Sequence, residues 1–175
     1  MKKKVGSLLS VLLAIMLLVT PVAAGGAIKL SGVTFQLGSL IAKGFASGLG
    51  NTDVRVELDG EGIPAITCIN NGTNAVPGQS YPKISAVGEQ NLLGSDPNRK
   101  NGRISFFTET DDPETLPWDV AGCPNPNWTG HIDFIFWTAA TITVYDLNTG
   151  ALLATQDYTC TTTRTPATVS CTPVK

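Results

Sequence analysis

One stretch of the chain concentrates the residue types that perform chemistry in proteins: "AGCPNPNWTGHIDFIFW" at 121–137. It contains the only histidine, His131, which precedes Asp133 by two residues and would share one strand face with it. Such a pair can bind a metal or act as an oriented general base. Both functions need further ligands or a nucleophile, and the chain has no second histidine and neither a G-x-S-x-G nor an H-E-x-x-H motif. We therefore predict a protein that is not an enzyme.

Acidic residues form a second candidate group, in the 109–119 loop. Paired carboxylates can hydrolyse glycosides or bind calcium, so a small glycan-active hydrolase and a calcium site are both alternatives. The segment "DPNRKNG" at 96–102 resembles a calcium loop, but it has lysine at its fifth position and its glycine comes one residue late. We expect a solvated acidic loop. The acidic residues of 109–119 are Glu109, Asp111, Asp112, Glu114 and Asp119.

Trp118, Trp128 and Trp137 are the candidate ligand-binding residues. Strict alternation in "HIDFIFW" points Ile132, Phe134 and Phe136 into a core and places Trp137 on the opposite face. We expect the 110–128 loop to fold over that face. The alternative is an exposed aromatic patch that binds sugar rings. The pattern predicts a binding or structural module, with a carbohydrate-binding module as the first alternative and a polysaccharide or surface protein as partner.

The chain has four cysteines, Cys68, Cys123, Cys160 and Cys171, and an even number is typical of disulfides outside the cytoplasm. Their spacings of 55, 37 and 11, without C-x-x-C, do not fit zinc. Four cysteines allow three connectivities.

The C-terminal stretch "YTCTTTRTPATVSCTP" favours one of these connectivities. In a hairpin with Cys160 opposite Cys171, the tip falls at Thr165 and Pro166. Because trans-proline disfavours a two-residue turn there, we expect a four-residue loop over 164–167. Cys68 then pairs with Cys123. An immunoglobulin pairing of Cys68 with Cys160 would require a tryptophan soon after Cys68, and none occurs before Trp118.

The elements that position these residues are predicted to be strands. "TDVRVELDG" points Val54, Val56 and Leu58 to one side, and "GRISFFTET" does the same with Ile104, Phe106 and Thr108. A turn is expected at 146–150 and a bulge at Gly32. No twelve-residue stretch of the mature chain has a helical apolar period. The prediction is an all-β, antiparallel β-sandwich of about seven to nine strands, Ig-like in architecture but not a true immunoglobulin domain.

The N-terminus reads "MKKKVGSLLSVLLAIMLLVTPVAA", with a basic start, a short apolar run and small residues at its end. This pattern predicts a bacterial signal peptide at 1–24 and a single domain at 25–175. The protein is therefore expected to be secreted or at the cell surface, and to contact the membrane only through the signal peptide before its cleavage. Three of the 12 Lys and Arg residues lie in the leader, so nine remain against 14 acidic residues, a net charge near −5. Such a surface does not favour nucleic acid.

The chain resembles a group of small exported bacterial proteins with no assigned activity. The resemblance rests on "GLGNTDVRVEL", "CINNGTNAVPGQ", "NGRISF" and "GCPNPNW" followed by "IDFIFWTAATITV", and covers about 48–144. It implies export and a β-sandwich, carries over no catalytic residue, and makes the CPNPNW segment part of a shared framework.

Overall fold

The computed structural model describes residues 27–175, so the predicted signal peptide at 1–24 lies outside the described part. Strands account for 62% of the structure and helix for 3%, which confirms the all-β class. Within 27–175, no helix has the length and apolar character needed to cross a bilayer.

The described part contains ten strands and one short helix. In chain order they are β1 (Lys29–Gln36), β2 (Ile41–Ser47), β3 (Val54–Asn70), β4 (Ala75–Pro77), β5 (Ile84–Leu92), β6 (Ile104–Glu109), β7 (Thr115–Leu116), α1 (Trp118–Ala121), β8 (Trp128–Asp146), β9 (Leu152–Arg164) and β10 (Ala167–Pro173).

Two antiparallel sheets result. The smaller has the order β1-β2-β6, and the register shift between Ser31 and Thr34 confirms the bulge predicted at Gly32. The larger has seven strands in the order β10-β9-β8-β3-β4, with β5 paired to the first part of β3 and β7 paired to the start of β8. Its centre is the long pairing of β3 with β8, from Val54 opposite Asp146 to Asn70 opposite Trp128.

Both sheets contribute to one apolar core. Val54, Val56 and Leu58 are buried as their alternation predicts, and Ile104 and Phe106 face them from the smaller sheet. Glycine and alanine occupy the inward positions of β2, and the Phe106 side chain of β6 packs over Gly44.

The predicted orientation of the "HIDFIFW" segment is wrong. β8 carries two register shifts against β3, one between Phe134 and Ile132 and one between Ala139 and Trp137. Each shift inserts a residue and reverses the alternation. The inward face therefore carries Ile135 and Trp137, while Phe134 and Phe136 are half-buried on the other face and pack edge-to-face with centroids 4.9 Å apart.

Both disulfides form as predicted, Cys68–Cys123 and Cys160–Cys171. The hairpin register places Cys160 opposite Cys171, also as predicted. The four-residue loop is wrong, because pairing continues to Arg164 opposite Ala167. The prediction assumed a trans proline, whereas the Thr165–Pro166 peptide bond is cis.

Candidate functional site

The long loop before β8 is fixed at one end of the larger sheet. The Cys68–Cys123 bridge ties it to β3, and Ala121 and Cys123 form a small apolar cluster with Ile66 and Cys68. Ala121 also lies against Gly130, where an added Cβ would come 2.3 Å from the alanine methyl group. The loop therefore covers the Gly130 end of β8 and not Trp137, which corrects the predicted position of the lid.

The three tryptophans do not form one platform. Trp137 is 1% exposed and belongs to the main core, so the prediction that it binds a ligand is wrong. Trp128 is half-buried against the small cluster of the disulfide. Trp118 is 37% exposed and opens α1. Trp118 is therefore the most exposed of the three indoles, and Trp137 offers no face to solvent.

His131 and Asp133 show no joint site. Asp133 accepts a hydrogen bond from the Thr67 hydroxyl across the strand pair, at 2.6 Å. His131 is exposed and lies in register between Thr67 of β3 and Thr115 of β7. Both side chains are parts of a polar strand surface.

A groove of about 730 Å³ lies between the β1–β2 turn, the 111–114 segment and the middle of β8. Its apolar lining includes Ile132 and Phe134, and its carboxylates come from Asp111, Asp112, Glu114 and Asp133. Three of the five predicted acidic residues are therefore gathered here. Glu109 ends β6 and Asp119 lies in α1.

Asp112 is a hydrogen-bonded carboxyl of the groove. The Thr110 hydroxyl donates to its Oδ1 at 2.6 Å and accepts from the Leu40 amide at 2.9 Å. Burial raises the pKa of Asp112; the Thr110 hydrogen bond opposes this, and the charges of Glu109 and Asp111 raise the pKa further. Within 27–175, the side chains of His, Cys, Asp and Glu form no group of three able to hold a metal ion.

The calcium-like segment at 96–102 is organised around an arginine. The Arg99 guanidinium donates to the carbonyls of Gly50, Thr52 and Leu92 at 3.2, 2.9 and 3.3 Å. A side-chain cation thus occupies the place where these oxygens converge.

The sequence prediction missed an aromatic surface on the smaller sheet. Phe45 and Phe107 point outward and are 39% and 45% exposed. The Arg103 guanidinium lies 4.0 Å from the Phe45 ring centroid, and Lys43 Nζ lies 5.0 Å from the Phe107 centroid. We call the outer surface formed by these four residues, with Thr34 and Ser105 beside them, the aromatic face.

Two signals in the sequence point to this face. In "IAKGFAS" the small residues at alternate positions fit a core, which leaves Lys43 and Phe45 on the other side. In "ISFFTE" two phenylalanines are adjacent, so a strand must turn one outward. Comparison of the chain with protein-family models, curated proteins and solved structures finds no match. Its function is therefore inferred from its own residues.

Proposed function

We propose that the protein is an exported bacterial β-sandwich that binds a ligand outside the cell, or at its surface, without catalysing a reaction. The two disulfides support this, because such bonds persist in oxidising environments. Two antiparallel sheets that share one core support the sandwich. The basic and apolar pattern at 1–24 supports export.

The observation that carries the binding function is the exposure of Phe45 and Phe107 on the aromatic face. A solvent-facing strand of an antiparallel sheet is ordinarily polar, and exposed apolar patches mark binding surfaces. Carbohydrate binding is the form we favour. Phenylalanines of the smaller sheet provide the stacking surfaces that the tryptophans were predicted to provide.

The aromatic face is well suited to hold its rings in place. The inward residues between them, Ala42, Gly44 and Ala46, are buried against the core. On the far edge of β6, the Phe107 amide donates to Gln90 Oε1 of β5 at 2.8 Å. The backbone that carries the two rings is therefore fixed before a ligand arrives, which limits the ordering cost of binding.

Co-sedimentation tests this function. Mature protein is mixed with insoluble cellulose, chitin, peptidoglycan and cross-linked pectate. The double variant Phe45→Ser/Phe107→Ser is compared with the control Leu147→Ser/Leu152→Ser, which removes two exposed apolar side chains at the β8–β9 turn. We expect wild type and control to pellet with at least one polymer and the aromatic-face variant to remain in solution. Failure to pellet with any polymer, or equal pelleting of all three proteins, would contradict the proposal.

A small glycan-active hydrolase is the second candidate, and the raised pKa of Asp112 in the acidic groove favours it. A carboxyl whose pKa is raised beside a second carboxyl is the arrangement from which glycoside hydrolases draw a general acid. Release of reducing ends from soluble glycans measures this activity. Loss of release in Asp112→Asn, with Asp119→Asn unaffected, would support hydrolysis over simple binding.

A further inference from the structure

We infer that the ligand of the aromatic face is an acidic polysaccharide, a polymer whose sugar rings carry carboxylate groups. This inference rests on the proposed binding function and names its ligand class. Sugar rings stack on aromatic side chains, and carboxylates pair with Arg and Lys. The face provides both kinds of group, with one cation over each ring.

The cations of the face are held in place and are free to pair with an anion. The Arg103 guanidinium lies over the Phe45 ring, and Arg103 is exposed to solvent. Lys43 lies over Phe107 and donates to Gln36 Oε1 at 2.9 Å. Within the described residues both ion pairs involve Arg55, so neither Lys43 nor Arg103 is neutralised by a carboxylate of this chain.

Two adjoining hollows suit a chain of sugar units. One, of about 340 Å³, runs between the two rings and is lined by Thr34, Lys43 and Ser105 as well. The other, of about 300 Å³, adds Asn98, Lys100 and Arg103. Phe45 and Ser105 line both hollows, so a polymer can cross from one to the other. The polar linings offer hydroxyl, amide and cationic groups, which match sugar hydroxyls and carboxylates.

Charge favours this polymer over other anionic partners. The two hollows contain three cations and no carboxylate, although the chain after residue 24 has a net charge near −5. A local cationic patch on an acidic protein selects a ligand of modest charge density, whereas nucleic acids require broad basic surfaces.

Affinity electrophoresis on native gels tests the inference with a matched pair of ligands. Polygalacturonate and its methyl ester share a backbone and differ in the carboxylate. The variant Lys43→Gln/Arg103→Gln removes two cations of the face, and Lys83→Gln/Arg164→Gln removes two elsewhere. We expect polygalacturonate to retard wild type and control, with affinity about tenfold lower for the face variant. The ester should retard all three weakly.

Each other outcome has a definite meaning. Equal retardation by polygalacturonate and its ester overturns the acidic ligand and leaves the proposed binding function standing. If neither polymer retards the protein but the protein pellets with a neutral polymer, the acidic ligand is likewise overturned and the proposed binding function stands. Equal retardation of both charge variants places binding outside this face. The inference is also overturned if the protein binds a DNA duplex as tightly as it binds polygalacturonate. It is overturned as well if sedimentation velocity shows self-association that accounts for the retardation.

Discussion

The indole of Trp137 packs directly against the backbone of Gly60. A Cβ added to Gly60 would come 2.8 Å from Cζ3 of the indole and 2.9 Å from Cδ2 of Leu40. Gly60 lies in β3 and Leu40 precedes β2, so this contact joins the larger sheet to the smaller one. Trp137 is thus a core residue whose indole packs over Gly60, where a side chain would not fit.

We expect Gly60→Ala to lower the free energy of unfolding by about 1–3 kcal/mol, the usual cost of overpacking a core. Gly72→Ala is the control, because its nearest contacts from an added Cβ are at 3.4 Å on an exposed loop. Urea denaturation measures both. Equal stability of the two variants would contradict the packing described for Trp137.

Arg99 gives a prediction about metal. Since its guanidinium satisfies three carbonyl oxygens, Arg99→Ala should destabilise the protein by about 1–3 kcal/mol, while EDTA should leave the melting temperature of wild type unchanged. Lys100→Ala, which removes an adjacent exposed cation, is the control. A fall in the melting temperature with EDTA, restored by calcium, would show that a metal and not Arg99 organises this loop.

Asp112 gives a prediction about pH. Its pKa is raised above the ordinary 3.8, so folding favours the protonated form and the charged form weakens the native state at neutral pH. An asparagine at this position would carry no charge, and its amide oxygen can still accept from Thr110. Asp112→Asn should therefore melt at a higher temperature than wild type at pH 7, and the difference should vanish as the pH falls below 3.8.

Thermal melts from pH 3 to pH 8 measure this difference. Asp119→Asn, on the exposed helix α1, should show no comparable gain. A lower melting temperature for Asp112→Asn at pH 7 would mean that the charged carboxylate stabilises the groove.

Local alternation was sufficient to predict much of the fold. Val54, Val56 and Leu58 are buried because β3 is regular there, and the hairpin register followed from placing Cys160 opposite Cys171. The orientation of β8 was predicted wrongly because its two register shifts leave no mark in the apolar pattern. The segment "IDFIFW" fits a strand with either set of alternate residues facing the core. Only pairing with β3 decides between them.

The candidate site was less predictable for a similar reason. The acidic residues of 109–119 are close in sequence, yet Glu109 and Asp119 do not line the groove. The aromatic face joins residues from three strands, and Arg103 reaches Phe45 only once β6 pairs with β2. These contacts cannot be predicted from the spacing of the residues along the chain.

The disulfides stabilise different parts of the molecule. In the chain-entropy estimate, closing 55 residues contributes about 4 kcal/mol and closing 11 about 3 kcal/mol. Cys68→Ala/Cys123→Ala should therefore lower stability more than Cys160→Ala/Cys171→Ala, and should speed hydrogen exchange at 111–127 in particular. Unchanged exchange in that segment would mean that the bridge does not hold the loop.

Peptide mapping of the purified protein under non-reducing conditions tests the cross-linked scaffold most directly. We predict two linked peptides, one joining Cys68 to Cys123 and the other joining Cys160 to Cys171. Free thiols, or a peptide joining Cys68 to Cys160, would contradict the scaffold described here.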